Sequence, residues 1–288
     1  MGRIVKIPFI LIAVAGLSAC GGSTTSVGPP PTTPIPGGVA GTAGGSTVPL
    51  TETGTVTVHN LNGGDTVEMT IGGTPITGLV RDTTYDKGVL KAFIQSEVEP
   101  VTSSTLSNRE AGHSGVSSTG AMSASVMNTD SSSIEAGGIL RGANYARVSA
   151  GTMPTTGTGT FTGSYAGGAG SPTVSAFIVT GDVSLTANFG GSIQGSITNR
   201  VGQQNIAGAQ HVFENITLNA ATISGAGVYS GSTTGGEFTP LGAVASQSGT
   251  FSGLIGGATG TETAGAVNIQ TTYGSGVILT EVGVFIAE

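Results

Sequence analysis

The chain has no tryptophan, a single cysteine and little charge: Lys, Arg, Asp and Glu make up 9% of its residues and aromatics 5%. With Cys20 as the sole thiol, an intramolecular disulfide framework is excluded. Nine Lys and Arg face sixteen Asp and Glu, and two of the cations, Arg3 and Lys6, lie in the first nineteen residues, so the remainder carries 7 − 16 = −9. An acidic surface repels phosphate backbones, so no nucleic acid is expected as a partner. The longest apolar run, Pro8 to Leu17, is too short to cross a bilayer as a helix. There is no P-loop, no His-Glu-x-x-His and no Gly-x-Ser-x-Gly elbow. The chain is therefore read as not an enzyme and as carrying no cofactor.

What is abundant is glycine, with 51 residues, and hydrophobic residues reach 37%. Low charge with much Gly, Ser and Thr would suit disorder, but that apolar content in two-residue alternation argues for packed strands. No stripe of helical period recurs after residue 20. The expected class is all-β.

The N-terminus has its own pattern. Arg3 and Lys6 precede the apolar segment, which ends in Leu17-Ser18-Ala19-Cys20. This resembles the lipobox of bacterial lipoproteins: residues 1–19 would be the signal peptide, and the Cys20 thiol would accept the lipid. Several acyl chains on one cysteine anchor firmly, at roughly 0.8 kcal/mol per buried methylene. Gly21 rather than Asp after the cysteine resembles cargo sent on to the outer membrane. Residues 20–47, rich in Gly, Pro, Ser and Thr, form a tether with nothing to bury; its prolines favour extended geometry of about 3.1 Å per residue.

Residues 48–137 read as a β-rich N-terminal region. Thr53 to His59 alternates, Asn62-Gly63-Gly64 looks like a hairpin turn, and Asp65 to Ile71 follows. Val89–Ile94 and Gly138–Val148 are further strand candidates, and residues 102–119 read as a Ser/Thr/Gly-rich loop.

Residues 138–288 carry the strongest signal. A glycine-flanked aromatic recurs as Gly159-Thr160-Phe161-Thr162-Gly163, Gly227-Val228-Tyr229-Ser230-Gly231 and Gly249-Thr250-Phe251-Ser252-Gly253. Gly191-Ser192-Ile193-Gln194-Gly195 is a related form. In a strand the ring and both glycines share one face. Glycine weakens a strand unless backbone must bend or pass close, so the motif fits tight curvature with rings pointing inward. Val183, Leu185, Ala187 and Phe189 alternate with Asp182, Ser184, Thr186 and Asn188. Eight segments follow, around 157–167, 174–189, 191–199, 211–223, 226–234, 248–256, 261–270 and 276–287. Eight strands joined by short turns predict an antiparallel up-and-down barrel whose side chains fill the interior.

These strands, with Phe189 to Arg200, Phe213 to Leu218 and the closing Glu281-Val282-Gly283-Val284-Phe285, resemble the transferrin-binding-protein-like surface lipoproteins, whose eight-stranded barrel also occurs in factor H-binding protein. The closing strand departs from the family pattern at Ser275, where proline is usual, and at Val284, where a second glycine is usual. The resemblance covers about half the chain. It implies a lipid-anchored outer-membrane or cell-surface protein holding an extracellular protein or a small iron-related ligand. Only one such barrel is present, which argues against transferrin itself, and no ligand-contact residue carries over.

Other candidates are thin. His59, His113 and His211 lie far apart, so a haem or metal site would need the fold to gather them, and loop histidines are the plainer reading. Asn60, Asn62 and Asp65 could suggest calcium, but the spacing fails the loop pattern and a hairpin turn fits better. Asn215-Ile216-Thr217 matches a glycosylation acceptor by chance. Tyr145, Tyr165, Tyr229 and Tyr273 would serve binding if outward-facing; the alternation favours barrel interior or rim. The functional expectation is a non-enzymatic ligand- or protein-binding module joined to the membrane through Cys20. The alternative is a structural envelope protein or adhesin needing no small ligand, with a filled barrel and no cleft between its halves.

Overall fold

Two-residue alternation punctuated by glycine builds strands, and strands dominate the computed structural model. It describes residues 41–43, 46–48, 57–60, 66–71, 74–96, 109–130, 139–147, 153–171, 174–203 and 210–288. The first half contains β1 (Gly41–Ala43), β2 (Ser46–Val48), β3 (Thr57–Asn60), β4 (Thr66–Ile71), β5 (Thr74–Arg81), β6 (Lys91–Ser96), β7 (Arg109–Val116), β8 (Met122–Asp130) and β9 (Ile139–Arg147). The second contains β10 (Thr158–Ser171), β11 (Val174–Asn188), β12 (Ser192–Gln203), β13 (Gln210–Val212), β14 (Ile216–Thr222), β15 (Val228–Gly235), β16 (Val244–Gly256), β17 (Glu262–Tyr273) and β18 (Ile278–Ala287).

Strands β3 to β9 form a seven-stranded antiparallel sheet in sequence order. Strands β10, β11, β12, β14, β15, β16, β17 and β18 form a closed ring. The last strand returns to the first, with Tyr165 opposite Phe285 and Gly167 opposite Gly283. This is the expected eight-stranded up-and-down barrel. The short β13 pairs with β12 at Val201–Gln203, on the same edge that β14 pairs at Ser192–Ile197.

The lumen is filled. Phe161, Tyr165, Phe177, Tyr229, Phe251, Tyr273 and Phe285 point inward among Val, Leu and Ile, each at most 2% exposed. The glycines of the recurring motif are seats for these rings. A Cβ on Gly253 would lie 2.3 Å from Cζ of Tyr229, and one on Gly283 would lie 2.4 Å from Cζ of Tyr165. Gly265 lies under Phe285 and Gly231 under Phe251 in the same way. Each of these four rings covers a neighbouring strand's glycine, so there curvature and filling go together.

The N-terminal sheet lies against one wall of the barrel. Leu90, Met122, Ala124, Val126, Ala143 and Tyr145 pack on outward residues of β10, β16, β17 and β18, among them Leu254, Ala264, Val282, Val284 and Ile286. Val284 is fully buried in this contact. The turn after β7 is tied down by carboxylates: Ser117 and Thr119 hydroxyls donate to Glu262, and the Ser118 backbone N–H and hydroxyl donate to Glu288.

Several expectations are corrected by the pairings. Residues 109–116, expected within a loop, form β7, in register between β6 and β8. Its polarity misleads because Gly115 and its neighbours sit against backbone, where a Cβ would meet the Val89 carbonyl at 2.5 Å. The 138–148 segment, grouped with the barrel, is β9 and pairs with β8; the ring begins at Thr158. The single strand expected over 211–223 is two, β13 and β14. Within the expected tether, Gly41–Ala43 and Ser46–Val48 pair as a short antiparallel ladder.

Candidate binding cleft at the sheet–barrel seam

Simple alternation along β12 would send Ile193, Gly195, Ile197 and then Asn199 into the lumen. A register shift between Thr180 and Asp182 interrupts it, leaving Asn199 and Arg200 in the β12 strand opposite Gly181. Asn199 takes φ 52, the one positive φ of a non-glycine among the described residues. Asparagine tolerates this left-handed conformation better than most residues. The bulge reverses the parity: Arg200 enters the lumen, while Asn199, Val201 and Gln203 face outward.

Inside, Arg200 is 1% exposed and forms an ion pair with Glu281, itself 2% exposed. The Tyr165 hydroxyl donates to the other Glu281 oxygen at 2.6 Å. Arg200 also donates to the Glu214 carbonyl and lies over the Phe213 ring, 5.3 Å from its centroid. Burial opposes the guanidinium charge, but the Glu281 carboxylate outweighs it and raises the Arg200 pKa. Burial, reinforced by Glu281, pushes the Tyr165 pKa well above its ordinary value. This centre is packed, charge-balanced and closed to ligands.

Outside, the re-aimed residues line a cleft of about 200 Å³. Its far bank is the 3₁₀ turn Thr83–Tyr85 and the residues after it, contributing Thr84, Tyr85, Asp86 and Lys87. The barrel bank is Ile178 and Thr180 of β11, Asn199, Val201 and Gln203 of β12, and Gln210 of β13. The charges here are paired. Asp86 accepts from Arg81 and from the Ala92 N–H at 3.0 Å. Burial alone would raise its pKa, but the Arg81 and Ala92 hydrogen bonds hold it low. Lys87 bridges the seam to Asp182 at 2.5 Å, and the Asn199 amide donates to the same carboxylate at 2.8 Å. Those two bonds lower the Asp182 pKa, that from Lys87 more. Tyr85 is 4% exposed, packed with Ala92, Ile94, Ala111 and Ile178. Its hydroxyl has no hydrogen-bond partner among the described residues.

The residues singled out from the sequence lie elsewhere. Tyr165, Tyr229 and Tyr273 are in the lumen, and Tyr145 is at the sheet–barrel contact, donating to the Ser252 hydroxyl at 2.8 Å. The Tyr229 and Thr263 hydroxyls are 2.6 Å apart, and the Tyr273 hydroxyl accepts from the Phe238 N–H at 2.8 Å. His113 is buried in β7 with Nε2 3.0 Å from the Tyr85 carbonyl, and its burial lowers its pKa. His211 lies edge-on to Phe177 and Phe238 at one end of the barrel. His59 and Asn60 belong to β3, with Cα partners on β4. No group of three or more His, Cys, Asp or Glu suited to a metal occurs among the described residues. Cys20, Asn62 and Asp65 lie outside the described residues. Among the described residues no helix is long and apolar enough to cross a membrane.

Tyr85, Asn199 and Gln203 were not singled out from the sequence. One signal pointed to Asn199: the polar pair Asn199-Arg200 falls where alternation calls for an inward apolar residue, which marks a bulge.

No family model matches the chain, and no curated protein matches it. Among solved structures it is similar to intact Ap-TbpB, with its N and C lobes, at a TM-score of 0.42 and 12% identity over 87% of this chain and 46% of that one. It is also similar to a mutant of the vaccine antigen Transferrin Binding Protein B from Haemophilus parasuis, at a TM-score of 0.44 and 12% identity over 87% and 44%. The chain spans less than half the length of these proteins.

Proposed function

We propose that the chain is a lipid-anchored, non-enzymatic lipoprotein that presents its barrel and sheet outside the outer membrane as a binding module. The observation that carries this reading is the filled lumen. Rings and aliphatic chains occupy the barrel interior, so a ligand meets the outer surface and the seam. The surface opposite the sheet suits such a role: Ser184, Thr186, Gln194, Thr217, Ser230 and Ser232 present hydroxyls and amides without charge. The Cys20 motif supplies the anchor, and residues 20–47 the spacer. An extracellular protein is the partner class proposed.

The alternative, a structural envelope protein, called for a filled barrel without a cleft between its halves. The lumen is filled, but the seam is open between Asn199 and Lys87, which favours the binding reading. Protease shaving of intact cells, with mass spectrometry of the released peptides, tests display directly. Peptides from β14 and β15 are expected from wild-type cells and not from a Cys20→Ser strain. Their absence from wild-type cells sinks the proposal.

A further inference from the structure

We infer that the seam cleft binds one neutral, polyhydroxylated ring: a single sugar unit, free or at the end of a glycan. The inference rests on the binding-module reading and adds a small-ligand class to the protein partner proposed there.

Charge gives the first argument. Asp86 is matched by Arg81 and Lys91, and Lys87 by Asp182. An anionic or cationic ligand would have to break one of these pairs. A neutral ligand leaves them intact and uses the remaining groups.

The composition of the walls gives the second. Thr84 and Thr180 offer hydroxyls, and Asn199, Gln203 and Gln210 offer amides. Each type donates and accepts, which vicinal hydroxyls require. Ile178, Val201 and Tyr85 supply apolar surface for the C–H face of a ring. An apolar ligand would leave those amides unpaired on burial, a costly arrangement.

Size gives the third. About 200 Å³ falls below the roughly 300–1,000 Å³ of sites for drug-sized ligands. It is also several times the roughly 30 Å³ that one water occupies in the liquid. A single sugar ring falls between, and haem is far too large. The bulge at Asn199 is the local distortion that turns the barrel bank toward this space.

The test uses the detergent-solubilised full-length chain and saturation-transfer NMR. The probes are glucose, galactose and N-acetylglucosamine, each also as its methyl glycoside, with glucose 6-phosphate and galacturonate as charged counterparts. At least one neutral sugar is expected to saturate in the low millimolar range. Gln203→Ala should weaken it about tenfold with an unchanged melting temperature, because this partly exposed amide lines the cleft from the barrel bank. Asn199→Gly, which keeps the left-handed backbone, should weaken it similarly and serves if Gln203→Ala folds poorly. Equal binding by the methyl glycoside identifies a glycan end; binding by the reducing sugar alone identifies a free sugar. Saturation by no neutral sugar, equal binding of the charged sugars, or full binding in both variants overturns the inference. A chain that is displayed on cells yet binds no sugar sinks this inference alone. A chain that binds sugar yet is not displayed sinks the surface reading instead.

Discussion

The barrel has two unlike walls. Strands β17 and β18 are buried on both faces over most of their length: Gly283 and Phe285 turn inward, while Val282, Val284 and Ile286 turn out against the sheet. Strands β14 and β15 are buried on one face, with Leu218 and Tyr229 inside and Thr217 and Ser230 in solvent. Both walls share one inner rule, a large side chain set against a small one. They differ in the outer residues, and that difference records what covers each wall. A strand apolar on both faces has a second layer behind it; a strand polar on one has water.

Charge divides in the same way. Arg200 and Glu281 pair in the lumen, and Lys87 and Asp182 pair at the seam, where the side chains are 30% and 45% exposed. Glu281→Ala would leave Arg200 charged and unpaired in the core, at a cost of about 3–5 kcal/mol. Joint replacement, Arg200→Met with Glu281→Leu, should recover most of that in urea unfolding. Lys87→Ala at the seam should cost at most about 1 kcal/mol. Equal losses at the two pairs would break the comparison.

The two walls are compared next by truncation. Ile286→Ala, under the sheet, should cost about 2–5 kcal/mol, as buried large-to-small changes do. Thr217→Ala, on the bare wall, should stay within about 0.5 kcal/mol. Thermal melts of both variants decide it. If Ile286→Ala proves as mild as Thr217→Ala, the sheet does not seal that wall in solution.

The ring seats predict a smaller loss. Gly253→Ala puts a methyl into Tyr229 and should cost about 1–3 kcal/mol by overpacking, although alanine suits a strand better than glycine. An unchanged melting temperature would mean the ring moves freely.

The smallest effect is on the sheet side. His113 is buried, and its folded pKa lies below the ordinary 6.5. Above pH 6.5 both folded and unfolded histidine are neutral, so the term is flat. Below it the unfolded chain takes up a proton that the folded chain resists, so stability falls as pH falls. The slope is at most about 1.4 kcal/mol per pH unit for one group. His113→Gln should flatten urea midpoints between about pH 6.5 and pH 5. A slope that persists in the variant places the proton elsewhere.

The bare wall was the more legible, because solvent on one face imposes alternation. Thr186, Asn188 and Gln194 gave away β11 and β12 before any coordinates. The sheet was less so. In β7, Gly112, His113 and Ser114 read as loop, yet a strand between two neighbours needs no alternating pattern when its contacts are backbone and small side chains. The candidate site was least legible. Its banks come from residues 84–87 and 178–210, and a one-residue bulge decides which side of β12 meets the sheet.

By itself the sequence determined the class of fold, the eight-strand count and the filling of the lumen, because these follow from period-two burial and from glycine placed beside rings. Tertiary structure alone decided that the sheet covers one wall, that Arg200 points in and Asn199 out, and that a polar cleft opens at the seam. Those depend on which distant strands meet, and residue spacing along a chain does not encode which surface a finished barrel turns toward its neighbour.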